Sequence, residues 1–319
     1  MSTTLDILSH KTQEVIFSHT EEDNDMRKTL KEAHEQGASL DWADLSRLSI
    51  DHMDFSGMSM HGVDLSGTSL VKANFRGANL RKANLEGANL EGADLEGADC
   101  KKADFSGTNL SSAKATRAKF MGCDMTSAVM LCLDACYADF TQADLHGADI
   151  KRGKFVGATF TSACLAKVSG AEVVMTLATI CRADLSGSNF LYAKFNRANM
   201  AGAVFTNTKL IRANLDRANV RHSSITEAMY LASEFKKWNV QHEAGTFHKG
   251  TMVLTGMRYF VEIFDETIAI GCQVHTTKAW DEFSDETIKR MHDGALTFWR
   301  KNKTKIMAAA KLHQGGDDL

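Results

Sequence analysis

The sequence predicts a mainly β solenoid, a chain coiled on four flat sides with a small α/β cap at each end. Three observations predict it. From Ala38 to Tyr230 the chain repeats every five residues without an insertion or deletion. Of the 39 residues numbered in fives from Leu40 to Tyr230, 24 are Leu or Phe and ten more are Ile, Met or Val. Two residues before each of these, 25 of 39 are Ala. The stretch from Ala83 to Gly92 shows the unit plainly: small, polar, large apolar, polar, then Gly or polar.

A five-residue period fits neither the 3.6 of a helix nor the 2 of a flat strand, so it is read as a repeat architecture. Two positions in five must be buried and three must meet water. Four units then make a 20-residue turn, each side pointing one small and one large side chain inward. Stacking turns roughly 4.8 Å apart pairs their backbone groups and leaves few amides unpaired. The 39 units give about ten turns and a rod of about 45–50 Å at that spacing. The narrow interior explains the Ala, since larger residues there would overpack it. Ala115 and Ala135 replace large residues on consecutive turns, and Leu133 is expected to fill the space beside Ala135. From Val168 to Leu177 the pattern blurs, with Gly170 at a central site; this reads as a locally distorted turn rather than a domain boundary.

Terminal turns would expose apolar rungs and open edges, so both ends need caps. The expected division is 1–37, an N-terminal hairpin and helix; 38–235, the repeat coil; and 236–319, a C-terminal α/β module. Leu5–Leu8 and Glu14–Phe17 read as strands around a polar turn at His10–Thr12. Asn24–Gln36 reads as a helix, with Asp23 or Asn24 as N-cap, Gly37 at its C-terminal end, and Leu30 and Ala33 facing the first turn. In the tail, Thr251–Arg258, Tyr259–Phe264 and Thr267–Gly271 read as strands. Thr276–Phe283 and Ser284–His292 read as short helices, each opened by a Ser or Thr. Asp293–Leu312 reads as a longer basic helix with Trp299 and Ile306 on its apolar side.

The A(D/N)Lxx unit, as in Ala93-Asp94-Leu95 and Ala213-Asn214-Leu215, resembles the pentapeptide-repeat family. That resemblance implies a right-handed quadrilateral β-helix and says little about function. The tail resembles the C-terminal module of phage- and prophage-encoded members of that family, through Ile270-Gly271-Cys272-Gln273 with His275, then Trp280, Phe283-Ser284-Asp285-Glu286 and Ala295–Trp299. The N-terminal strand pair and helix resemble the same group. Members that protect type II topoisomerases from quinolones resemble DNA in shape and charge. This chain shares the rod but departs from them in its mixed surface charge and in lacking an obvious loop inserted between turns.

Twenty-residue spacing sorts surface residues by face. One face carries Asp44, Asp64, Asp104, Asp124, Asp144 and Asp184, interrupted by Asn84 and Cys164. This acidic row would steer a DNA-binding protein through complementary fields; equally, Asp and Asn there would hydrogen-bond nearby backbone. Overall the repeat zone is balanced, with 21 Lys or Arg against 20 Asp or Glu. A second face gathers Arg81, Lys82, Lys101 and Lys102, with Arg182 and Arg221 further along. It reads as a solvated charge run or a phosphate contact, and direct nucleic-acid binding is not expected because interleaved aromatics are few. A third face puts Leu131, Leu191, Tyr192, Ile211 and Leu231 at outward sites, a packing surface for the tail or for a second copy of the chain.

Chemistry is sparse. Cys272 and His275 form C-x-x-H, with His242, His248 and His292 within reach in sequence, but no second paired motif accompanies them. Metal binding at Cys272 and His275 is the weaker reading beside a buried Cys on a strand and a His capping the next helix. Cys132 and Cys136 fall on neighbouring faces and do not make a metal pair. No phosphate-binding Gly loop or Ser/His/Asp arrangement is present. The abundant Gly belong to the repeat's turns, where positive φ is useful. The chain has 319 residues, seven Cys, no Pro and a net charge of −3. With no secretory-type N-terminus and no apolar run of about 18 residues, the expectation is a bacterial cytoplasmic protein without disulfides. The function expected is that of a non-enzymatic interaction protein without cofactors, presenting the rod to a protein partner. The family likeness adds a phage-encoded modulator of a host protein. The alternatives are a DNA mimic acting on a type II topoisomerase or nuclease, and a metal- or ligand-binding tail.

Overall fold

In a computed structural model, the structure describes residues 2–210, 212–220, 223, 241–242, 245–246, 252–254, 261–263, 267–270, 273–291 and 294–314. The chain opens with β1 (Ser2–Leu8) and β2 (Val15–Glu22), paired antiparallel with Ser2 opposite Glu22. Both strands are longer than the sequence suggested. β2 buries none of its residues fully, so its polar half carries no hydrophobic alternation to betray it. Helix α1 (Met26–Glu35) starts at Asp25, whose carboxylate accepts from the Lys28 N–H at 2.8 Å. The expected caps serve the preceding turn instead: Asp23 adopts a φ of +51° and the Asn24 amide donates to the His19 carbonyl. Gly37, at φ +64°, takes the left-handed site past the helix. Leu30 and Ala33 are fully buried in the same core as Leu40. The hairpin runs directly into the first coil, with Ser9 bridging Ala43 and the Asp44 N–H donating to the Leu8 carbonyl at 2.8 Å.

The coil follows from where five backbone N–H groups go. In the unit from Asp64 to Thr68, the Asp64 N–H donates to Ala43 of the previous coil, and those of Leu65 and Gly67 donate to Asn84 and Glu86 of the next. The Thr68 N–H closes a turn onto the Leu65 carbonyl, and the Ser66 N–H is taken by the Asp64 carboxylate. No N–H of the unit is left over, which is the condition for a buried backbone to be stable. Every fifth residue from Asp44 to Asn199 bridges, in parallel, the residue twenty later. The third residue of each turn is left-handed. Gly67 holds φ +62° without cost, whereas Lys82, Arg117 and Tyr137 hold +57°, +59° and +61°. For a non-Gly residue that conformation costs about 1–2 kcal/mol, offset here by the inter-coil hydrogen bond that the same residue donates.

Inside, the two buried columns are those the period assigned, small at 43, 73, 78 and large at 45, 75, 80. Phe120, Phe140 and Phe160 stack along one side at centroid separations of 5.0 and 4.8 Å. Where Thr replaces Ala, as at Thr68 and Thr108, the buried hydroxyl donates to the carbonyl 23 residues earlier, at 2.7 and 2.8 Å. Leu133 and Ala135 are both fully buried, in keeping with an exchange of volume. The turn at 168–177 is not distorted: its bridges continue from Ser169 to Asn189 and from Val174 to Lys194. Phe190, one coil on, occupies the room a side chain would need at Gly170; a Cβ there would lie 2.5 Å from its ring.

The tail begins with β3 (Gln241–His242) and β4 (Gly245–Thr246), a short antiparallel pair. Strands β5 (Met252–Leu254), β6 (Val261–Ile263), β7 (Thr267–Ile270) and β8 (Gln273–Thr276) form an antiparallel meander in that order. Three helices follow: α2 (Thr277–Glu282), α3 (Asp285–Met291) and α4 (Ala295–Gln314). β8 was not expected, because Gln273, His275 and Thr276 look like a polar turn. Consequently His275 is a strand residue, and α2 is capped by Thr276, whose hydroxyl accepts from the Ala279 N–H. Ser284 caps α3 as expected, accepting from the Thr287 N–H. Val261, Ile263, Ile268, Trp280, Ile288, Trp299 and Ile306 make a second core. Among the described residues no helix is long and apolar enough to cross a membrane.

Candidate interaction surfaces

The acidic row lies where the sequence placed it. Asp104, Asp124 and Asp144 bridge one another on consecutive coils, and Asp44 and Asp64 do so near the N-terminal end. Each of the six carboxylates accepts the backbone N–H two residues on, at 2.8–3.1 Å. The row is therefore first a set of local turns that satisfy one amide per unit. It is also exposed charge: Asp44, Asp124 and Asp144 are exposed and the other three half-buried. None of the six makes an ion pair among the described residues, unlike Asp94, Asp99 and Asp149, each within 4.0 Å of a Lys or Arg.

Asp51 does something the repeat pattern did not announce. It accepts from the Ser69 hydroxyl at 2.6 Å and the Val71 N–H at 2.8 Å, tying two coils together. The Ser69 hydrogen bond holds its carboxyl below the usual carboxylate range, against a partial loss of solvation. Asp41 makes the same clasp on Ser59 and His61. The signal was legible in principle, as Asp with Ser at i+18, but only once the coil length is known.

The basic residues are brought together. Arg81, Lys82, Lys101 and Lys102 line a hollow of about 400 Å³ with Met121, Gly122 and Gln142. Asp99 sits among the cations, 4.0 Å from Arg81, 3.8 Å from Lys101 and 4.0 Å from Lys119. Lys82 and Lys102 have no carboxylate partner among the described residues. Arg221 lies outside the described residues, and so do Ile211 and Leu231 of the apolar face. On that face Leu191 is half-buried, while Tyr192 is exposed and engaged by Arg212, which stacks over its ring and donates to its hydroxyl at 3.1 Å. Leu131 is exposed three coils away from Leu191, and the sequence did not single out the most exposed apolar side chains of the coil, Tyr137 and Leu177. They stand at left-handed corner positions, which the repeat marks only as polar.

The tail's Cys272 lies outside the described residues, as do His248 and His292. His275 packs its ring edge-on against Trp280 and Phe283, at 5.4 and 4.9 Å, and its Nε2 is buried without a hydrogen-bond partner among the described residues. Among the described residues no group of three His, Cys, Asp or Glu is arranged to hold a metal ion. In the rod, Cys132 is exposed and Cys136 half-buried. Burial pushes the thiols of Cys100 and Cys123 up, that of Cys123 to about 12, and Cys123 donates to the Cys100 carbonyl. Neither is a nucleophile.

Residues 59–97, 88–126, 134–161 and 183–221 match the family model described as pentapeptide repeats. No curated protein matches the chain. Among solved structures, the chain is similar to HetL, a pentapeptide repeat protein involved in heterocyst differentiation regulation from the cyanobacterium Nostoc sp. strain PCC 7120. The two are 23% identical over 69% of this chain and 98% of that one, with a TM-score of 0.33. A pentapeptide repeat protein from the Arabidopsis thaliana thylakoid lumen is 34% identical over 31% of this chain and 68% of its own, TM-score 0.31. QnrB1, a plasmid-mediated fluoroquinolone resistance protein, is 15% identical over 63% of this chain and 93% of its own, TM-score 0.32.

Proposed function

The chain is a pentapeptide-repeat protein, and from that premise we propose that it is a non-enzymatic interaction protein whose rod offers a rigid face to a protein partner. The family folds as a right-handed quadrilateral β-helix, and its members are generally structural or interaction proteins. One observation carries the reading: the uninterrupted ladder from Asp44 to Asn219. It fixes outward side chains on a lattice that binding need not reorder, so little conformational entropy is lost on association. Residues 1–37 and 236–319 are taken as caps on the 38–235 coil. The tail's likeness to prophage-encoded modules supports a phage protein acting on a host protein in the bacterial cytoplasm. Affinity capture from bacterial lysate, followed by direct titration of the purified partner, tests the proposal. A partner that binds the chain equally well after charge reversal on every face in turn argues against it, as does turnover of a small substrate.

The acidic row favours a second reading, a DNA mimic directed at a type II topoisomerase or nuclease. Three carboxylates on consecutive coils, none neutralised by an ion pair among the described residues, are the observation behind it. DNA supercoiling by purified gyrase is the assay. Inhibition that survives replacing Asp104, Asp124 and Asp144 by Asn rules the row out. Association of two copies through Leu191 and Tyr192 is a separate proposal, and light scattering that returns one chain's mass at micromolar concentration refutes it.

A further inference from the structure

We propose that the hollow beside Lys82 and Lys102 is a binding site for a small oligophosphate, a compact anion of the di- or triphosphate class, free or carried on a nucleoside. The cavity has a simple structural origin. At one corner of the rod, successive coils present Lys82, Lys102, Gly122 and Gln142, each twenty residues after the last. Gly122 has no side chain, so the column is interrupted at its third member and a space of about 400 Å³ opens there. The adjacent column contributes Arg81, Lys101 and then Met121. Four cations thus converge from two coils, with a neutral amide at the far side and a thioether between.

The charge is not cancelled locally. Asp99 is one carboxylate shared by Arg81, Lys101 and Lys119 at 3.8–4.0 Å, the outer limit of an ion pair. Lys82 and Lys102 have no acidic partner among the described residues, and both stand at corners held by the ladder, at φ +57° and +59°. Their backbones are fixed while their ammonium groups stay solvated, a suitable arrangement for phosphate oxygens, which lysine meets as point charges and arginine as a fork.

The extent of the positive charge selects a compact ligand over a polymer. Along the corner column the Lys run is preceded by Gly62 and followed by Gly122, Gln142 and Ser162, with the next cation only at Arg182. A nucleic-acid strand needs a continuous track of cations, and this one stops after two coils. Met121 gives a nucleoside a polarisable surface beside the phosphates, which is why the class includes nucleotides.

Calorimetric titration of the full chain with sodium tripolyphosphate, and separately with ATP, tests the site. Saturable one-to-one binding with a Kd below about 1 mM at moderate salt is expected. The Lys82→Gln/Lys102→Gln pair should weaken it at least about tenfold, as should Gly122→Gln, which fills the hollow without touching a charge. A matched Lys167→Gln/Arg197→Gln control should leave it unchanged. Comparable affinity for both ligands indicates recognition of phosphate alone, and tighter ATP binding indicates that the nucleoside is held as well; either supports the site. Binding that is absent, that falls equally in the control variant, or that is surpassed by a single-stranded oligonucleotide or polyglutamate overturns it. Circular dichroism of each variant checks that the β coil is intact.

Discussion

The rod and the tail build their cores by opposite rules. In the rod, position alone decides burial: a residue's number modulo five says whether it points inward, and the residues stacked above and below it are those twenty away. Phe140 stacks on Phe120 and Phe160 for that reason, and meets Phe155 edge-on across the narrow interior. In the tail, Trp280 of α2 meets Trp299 of α4 at 5.2 Å, Phe283 at 5.4 Å and His275 of β8 at 5.4 Å, while its indole N–H donates to the Ile268 carbonyl of β7. No single period brings these together; they come from β7, β8, the short helix α2 with its cap, and α4. The rod is a sum of nearly equal local interfaces, whereas the tail depends on a few side chains that every element shares.

That contrast predicts different failures. Phe140→Ala should cost about 3–5 kcal/mol, because the stacked rings on either side cannot close the gap without bending the ladder. Trp280→Ala should lose a similar amount locally and also orphan the Ile268 carbonyl. Chemical denaturation followed by near-ultraviolet and far-ultraviolet dichroism separates the two. The Trp280 variant should lose tail tryptophan signals while the rod's β signal melts at its usual denaturant concentration. A single shared transition in both variants would show that the two cores are coupled and that the comparison fails.

Legibility follows the same division. The rod's register and its inward columns were readable because each unit sees the same environment as the last. Even so, the turn at Gly170 was misjudged. Its filling residue, Phe190, belongs to the next coil, and nothing in a five-residue window says which coil supplies the volume. In the tail the sequence located the helices and three of the strands but not the short pair β3 and β4 or the strand β8, whose His275 is held by aromatic partners at 280 and 283 rather than by hydrophobic alternation. The hollow beside Lys102 was visible only as four cations. What makes it a cavity is an absence, the missing side chain of Gly122, and absences become meaningful only in three dimensions.

Gly170 allows a sharper test of the positional rule. Restoring the consensus with Gly170→Leu should destabilise by about 1–3 kcal/mol or more, since overpacking displaces the Phe190 ring. The double variant Gly170→Leu/Phe190→Ala should recover part of that loss, a coupling that denaturation of the two singles and the double would measure. Additive effects would mean that the ring does not occupy the site.

Acid should reach the rod's N-terminal coils through Asp51. Its folded pKa lies below the ordinary 3.8 because Ser69 donates to it. The clasp therefore contributes stability that is fully present above that value and is lost as pH falls through the folded pKa. Asp51→Asn should lower the neutral plateau of the melting-temperature profile slightly and converge with the parent below about pH 4, so that the acid limb is flatter. The effect will be modest, because the carboxylate is largely solvated. An unaltered acid limb in the variant would show that the inter-coil clasp is not an acid-sensitive contact.

The smallest stability effect belongs to the acidic row, and its smallness is what makes the experiment informative. Replacing Asp104, Asp124 and Asp144 by Asn keeps a side-chain oxygen in place to accept the N–H groups of Ser106, Thr126 and His146. Each change should therefore alter stability by no more than about 0.5 kcal/mol, while removing three negative charges from consecutive coils. If the row exists only to satisfy turns, the triple variant should bind any partner as the parent does. If its field steers a basic partner, association should slow and lose part of its salt dependence, while thermal stability stays at the parent value. Stopped-flow association measured at two ionic strengths, beside a thermal melt of the same sample, distinguishes a row of turns from a charged surface.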